Sequence, residues 1–137
     1  MKTILVIDDD SDFRFALSNL LQARGWDVIQ CGDGEAALSL ARQHRPQAIL
    51  CDLLMPGTNG FRVCANIRGE HALRYSLLIA ISGRDFEDTR QTALEAGADE
   101  FLPKPVNISR LMELLDRMAG PSPFIPREVD TTRLIRQ

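Results

Sequence analysis

Carboxylate, hydroxyl and amine side chains stand where chemistry could collect. Asp8, Asp9 and Asp10 form an acidic run directly after the apolar stretch Ile4-Leu5-Val6-Ile7. Asp52 follows Ile49-Leu50-Cys51, Ser82 follows a run ending at Ile81, and Lys104 comes soon after Phe101-Leu102. Two carboxylates ~4 Å apart repel by roughly 4 kcal/mol at an effective dielectric of 20. Two or three at one place are hard to justify without a cation. An all-oxygen donor set suits a hard ion, and Mg²⁺ is bound through one or two carboxylates plus waters and phosphate oxygens. A carboxylate beside such an ion can act as nucleophile toward a phosphoryl group and form an acyl phosphate. The metal and Lys104 would neutralise the equatorial oxygens as charge spreads over them. The Ser82 hydroxyl could hydrogen-bond one of those oxygens once attached.

Taken singly, each residue has a plainer explanation. An Asp before a helix is usually a cap. A Ser before Gly is usually a turn residue, a Lys beside Pro is usually solvated, and Phe101 is usually core. Asp52 is the least ordinary, since an acid directly after an apolar run sits where burial begins. What the plain explanations leave unexplained is the conjunction, which depends on the elements that carry these residues.

Those elements alternate from the start of the chain. Ile4 to Ile7 reads as a strand buried on both faces. Phe13, Ala16, Leu17, Leu20 and Leu21 share one helical face, with Ser11 or Asp10 as cap and Gly25 as stop. Trp26 to Cys31 reads as a second strand, and Gly34 to Arg45 as a helix burying Ala37, Leu40 and Ala41 before Pro46. Ala48 to Cys51 is a third strand that delivers Asp52. The turn-rich loop Met55-Pro56-Gly57-Thr58-Asn59-Gly60 follows, then a helix to about Arg68 burying Val63, Cys64 and Ile67. Leu77 to Ile81 is a fourth strand, and about Glu87 to Ala96 a helix with a weak apolar stripe. Glu100 to Leu102 is a short fifth strand. A last helix, about Ile108 to Ala119, buries Ile108, Leu111, Met112 and Leu115.

Strands alternating with helices imply an α/β fold with a parallel sheet and helices on both faces. Five βα units in about 120 residues fit a flavodoxin-like, doubly wound sheet of order 2-1-3-4-5; a barrel needs ~250 residues. In such sheets ligands bind beyond the carboxyl ends of the strands, near the switch in strand order. The ends of strands 1, 3, 4 and 5 carry the acidic run, Asp52, Ser82 and the approach to Lys104. The spatial order therefore gathers all of them on one edge.

Composition adds bounds. The chain has 137 residues, 45% hydrophobic and 26% charged, which suits one soluble domain. A formal net charge of -3 argues against nucleic acid as a direct partner, because binding a phosphate backbone wants a basic face. No apolar run approaches the ~20 residues of a membrane helix, and the first is too short for a signal-peptide core, so a cytoplasmic location is expected. Cys31, Cys51 and Cys64 lack metal-ligand spacing and read as buried reduced thiols; His44 and His71 read as surface residues. After the domain at 1–120, Gly120-Pro121-Ser122-Pro123 breaks the pattern. Residues 121–137 then read as a proline-rich linker or tail: disordered, the stub of a further domain, or an arm packing on a partner.

The motifs together resemble the receiver domain of two-component response regulators. They are Ile4-Leu5-Val6-Ile7-Asp8-Asp9-Asp10, Asp52-Leu53-Leu54-Met55-Pro56 with Gly60, Ser82-Gly83, Ala96-Gly97-Ala98-Asp99 and Lys104-Pro105, covering about residues 1 to 120. The resemblance implies that Asp52 is the phospho-acceptor. It also implies that Asp8, Asp9, Asp52 and the backbone carbonyl of Leu54 bind Mg²⁺, with Mn²⁺ as a substitute, and that Asp10 occupies a variable slot. Ser82 and Phe101 would be the switch pair, Lys104 the phosphate-contacting lysine, and the Lys104–Pro105 bond cis. The implied donor is a phosphohistidine on a sensor histidine kinase or histidine phosphotransfer protein. The implied output is the face of helix 4, strand 5 and helix 5, a surface that often forms a homodimer.

Rival readings have specific requirements. An aspartate-based phosphatase would need a second acid two residues after Asp52, where Leu54 stands. A flavin or nucleotide binder would want a glycine- or hydroxyl-rich loop after strand 1, not three acids. A pseudo-receiver would normally lose acidic or lysine positions that are all present here. The expected activity is a signalling switch that catalyses only its own phosphorylation and dephosphorylation.

Overall fold

The computed structural model describes residues 2–84 and 87–118. The proline-rich segment expected after the domain lies outside them. Strands β1 (Thr3–Ile7), β2 (Asp27–Cys31), β3 (Ala48–Asp52), β4 (Leu77–Ser82) and β5 (Glu100–Pro103) form one sheet. Their spatial order is β2-β1-β3-β4-β5, all parallel, as expected. Helices α1 (Ser11–Ala23), α2 (Gly34–His44), α3 (Gly60–Arg68), α4 (Glu87–Glu95) and α5 (Ile108–Met118) cross between them.

The two-residue period of a strand divides the core. Along β1, Ile4 and Val6 face α1 and α5, while Leu5 and Ile7 face α2, α3 and α4; β3 repeats this with Ala48 and Leu50 against Ile49 and Cys51. All of these side chains are fully buried. Each large one contributes about 1.5–3 kcal/mol relative to an exposed state. That burial on both faces makes the central strands a stiff support for whatever their carboxyl ends carry.

Several boundaries differ from the sequence reading, for local reasons. Strand β2 starts at Asp27 because the Trp26 amide bonds the Leu21 carbonyl at the end of α1 and leaves the ladder. Helix α2 ends at His44: Arg45 takes a left-handed conformation, φ 44°, and the following Pro46 disfavours the helical alternative. On α1 only Leu17 and Leu21 of the apolar stripe are fully buried; Ala16 is exposed, and Phe13 and Leu20 are half-buried. That edge of the stripe faces an apolar groove against Pro105, Val106 and Ile108. Ile108 is accordingly half-buried, and Leu114 joins the core of α5. Leu40 on α2 is likewise half-buried.

Two elements went unforeseen. The loop after β3 contains a short antiparallel pairing of Leu54–Met55 with Thr58–Asn59, and His71–Leu73 forms a 3₁₀ turn. The three cysteines are buried and free, and both histidines are exposed, as expected.

Candidate functional site

Strand β1 ends by presenting three acids that take different roles. The Asp10 carboxylate accepts from the amides of Asp12 and Phe13, so it caps α1. Asp8 is fully buried, and its Oδ1 accepts from the Asp10 amide at 2.9 Å. Asp9 is exposed. Asp52 closes β3, paired in register with Ile81 of β4, and is almost fully buried. Asp8, Asp9 and Asp52 each offer a carboxylate oxygen within 4.8 Å of the others. An all-carboxylate set of this kind matches a hard divalent cation, so the residues present fit Mg²⁺.

Lys104 answers this concentration of charge. Its Nζ lies 2.8 Å from Asp8 Oδ2 and 3.5 Å from Asp52 Oδ2. The same ammonium sits 4.5 Å from the centre of the Phe13 ring, a cation–π contact that sequence reading missed because Phe13 also fits the α1 stripe. The peptide bond from Lys104 to Pro105 is cis.

Electrostatics follow from burial and proximity. Burial pushes the Asp52 carboxyl above its ordinary pKa, and the charge on Asp8 adds to the rise. The Leu54 amide, which donates to Asp52 Oδ1 at 3.1 Å, and the Lys104 ammonium oppose it without cancelling it. Burial also pulls the Lys104 ammonium downward, but the hydrogen bond to Asp8 and the charges of Asp52 and Asp8 outweigh it, leaving Lys104 above its usual value. Carboxylate and ammonium are thus strongly interdependent.

The other predicted residues are carried by β4, β5 and the segment from Leu54 to Gly60. Ser82 ends β4, fully buried, with its hydroxyl oxygen accepting from the Arg84 amide at 3.0 Å. Phe101 is buried in β5, with the Arg90 guanidinium of α4 5.1 Å from its ring centre. Leu54 leaves 45% of its surface exposed just beyond the acceptor. Gly60 starts α3 against the back of Asp52: a Cβ there would lie 2.4 Å from Leu53 Cα and 2.6 Å from the Asp52 carbonyl oxygen. Only glycine lets α3 approach so closely, which ties the α3 start to the acceptor strand.

Known proteins resemble this chain in sequence and in fold. Residues 4–116 match the family described as the response regulator receiver domain. The response regulator MprA of Mycobacterium tuberculosis is 38% identical over 115 residues, covering 84% of this chain and 48% of the relative. The chain thus spans about half the length of the curated relatives it matches. The signal receiver domain of a DNA-binding response regulator from Colwellia psychrerythraea superposes with a TM-score of 0.82 at 25% identity, covering 87% of this chain and 98% of that one. A response regulator from Burkholderia pseudomallei, solved with a phosphorylated aspartic acid, calcium ion and citrate, gives 0.76 at 26% identity over 91% and 77%. With this fold, this acidic cluster and a family match across most of its length, the chain belongs to the response regulator receiver domains, which are signalling domains.

Proposed function

We propose that this domain is a phosphoryl-accepting switch with Asp52 as the acceptor. The reading rests on one observation above others: three carboxylates converge within 4.8 Å while a single lysine reaches two of them. A cluster with that charge balance, two of its three carboxylates buried, is built to receive further positive charge together with an anionic group.

In the proposed reaction an Asp52 carboxylate oxygen attacks the phosphorus of a phosphohistidine. The new O–P bond forms as the P–N bond breaks, and the imidazole leaves with the electron pair and takes up a proton. Asp8, Asp9, Asp52 and the Leu54 carbonyl would hold Mg²⁺, which when bound supplies charge to the transferring oxygens. Lys104 neutralises one of those oxygens and exchanges part of its hold on Asp8 and Asp52 for the phosphoryl group. The donor in this reading is a sensor histidine kinase or histidine phosphotransfer protein in the cytoplasm.

The product carries about -1.5 to -2 added charges. Ser82 would release the Arg84 amide and bond the new oxygens. Phe101 would follow into the vacated space and leave Arg90 behind. That sequence would change the face made by α4, β5 and α5, where an output partner, a further domain or a second copy would bind.

The decisive experiment is incubation with acetyl phosphate and Mg²⁺, read by intact-protein mass. The wild-type chain should gain one phosphoryl group and Asp52→Asn none. Normal labelling of Asp52→Asn sinks the assignment.

A further inference from the structure

The acids at the end of β1 have a support behind them that the proposed reaction does not use. Arg14, half-buried at the close of the first turn of α1, turns its guanidinium back toward the sheet. Its Nη1 donates to the Asp8 carbonyl at 2.7 Å and its Nε to Gln30 Oε1 at 3.3 Å. The Asp8 amide donates to the Cys31 carbonyl at 3.0 Å. The Asp8 peptide groups are thus held on one side by β2 and on the other by a charged donor, and such charge-assisted bonds are about twice as strong as neutral ones. Gly32 gives the guanidinium its seat: a Cβ at Gly32 would stand 2.7 Å from Nη1 and 3.2 Å from Cζ.

We infer that Arg14, seated on Gly32 and braced by Gln30, is a positioning residue for the acidic pair, keeping Asp8 and Asp9 converged with Asp52 and so setting Mg²⁺ affinity. This rests on the phospho-acceptor reading above. Arg14 touches no reacting group. It acts through the Asp8 main chain, as outer partners of metal ligands commonly do, and loss of such partners typically weakens metal binding by about 10–100-fold.

A rival role for the same residue predicts the opposite sign. If Arg14 mattered only as a nearby positive charge, removing it would tighten Mg²⁺ binding. Lysine would then replace it fully, and Gly32→Ala, which leaves the charge present, would change little. If it is a clamp, Arg14→Ala weakens binding roughly 10-fold or more, and Arg14→Lys recovers only part because lysine lacks the two-pronged fork. Gly32→Ala then weakens binding in the same direction, by displacing the far end of a flexible side chain while leaving the core alone.

The test is calorimetric titration of the metal-free chain with MgCl₂, alongside melting curves, for the wild type, Arg14→Ala, Arg14→Lys, Gly32→Ala and the Arg14→Ala/Gly32→Ala double variant. The clamp predicts that the double variant binds no more weakly than Arg14→Ala, since both changes remove one interaction. Wild-type affinity in Gly32→Ala, or tighter binding in Arg14→Ala, overturns the clamp while leaving the phospho-acceptor reading intact. A wild-type chain that neither binds Mg²⁺ nor takes phosphate from acetyl phosphate overturns that reading and the clamp with it.

Discussion

Opposite ends of the sheet carry acid–base groups of similar composition and contrary design. At the amino ends of the strands, Arg68 donates through Nε to the Gly97 carbonyl and through Nη1 to the carbonyls of Leu73 and Arg74. Its Nη2 reaches the Ser76 carbonyl and Asp99 Oδ2, and Asp99 Oδ2 also accepts from the Leu78 amide. One guanidinium there stitches α3, the 3₁₀ turn, β4 and the entry to β5 together. At the carboxyl ends, Lys104 serves two of three crowded carboxylates. The first network satisfies its charges and holds the fold; the second leaves negative charge in excess and is suited to exchange partners.

Breaking the satisfied end should have the largest effect on stability. Arg68→Ala removes the guanidinium that bonds Asp99 and the carbonyls of Gly97, Leu73, Arg74 and Ser76, and should cost about 2–4 kcal/mol. Phosphate uptake per folded molecule should stay near wild type. Urea denaturation combined with acetyl phosphate labelling checks both, and a stable variant that fails to label would erase the proposed division between the two ends.

At the crowded end the sign reverses. The Asp52 carboxyl is raised in the folded chain, so its protonation favours folding. That contribution is complete below the ordinary aspartate value of about 3.9 and is lost as pH rises through the raised folded value. Without Mg²⁺, Asp52→Asn should therefore melt close to the wild type near pH 4. At pH 8 it should be more stable than the wild type. Melting curves in a chelator between those limits are the check; a gap that stays constant, or favours the wild type at high pH, contradicts the account.

The smallest effect concerns timing. Leu54 stands half-exposed beyond the acceptor and would hinder water from reaching an acyl phosphate. Leu54→Asn should shorten the phosphorylated lifetime a few-fold and change stability by no more than about 0.5 kcal/mol. Loss of phosphate no faster than wild type, followed by mass against time, removes Leu54 from the account.

Much of this was legible before any coordinates. Short apolar runs announce buried parallel strands, and each strand end names the residue it delivers. The acidic run from Asp8 to Asp10, Asp52, Ser82 and Lys104 could therefore be grouped from chain order and strand order, and the family resemblance marked Asp8 and Asp9 as the acidic pair. Asp10 was ambiguous until helix α1 began at Ser11 and claimed its carboxylate as a cap. Arg14 was invisible because its partners are a main-chain carbonyl and the bare surface of Gly32, and neither leaves a residue-type pattern. The short pairing around Pro56-Gly57 read only as turn-rich, since two residues per strand are too few to show a period.

Helix α4 has a consequence for the resting protein. Of its side chains only Ala93 is fully buried, whereas α5 buries Leu111, Met112, Leu114 and Leu115. Shifting α4 exposes little apolar surface, so the free-energy step needed there is small. In the proposed switch such light anchorage sets sensitivity and background together. A helix that a weak signal can displace is displaced some of the time with no signal at all. The apolar surface α4 buries against the sheet therefore governs how quiet the silent state is.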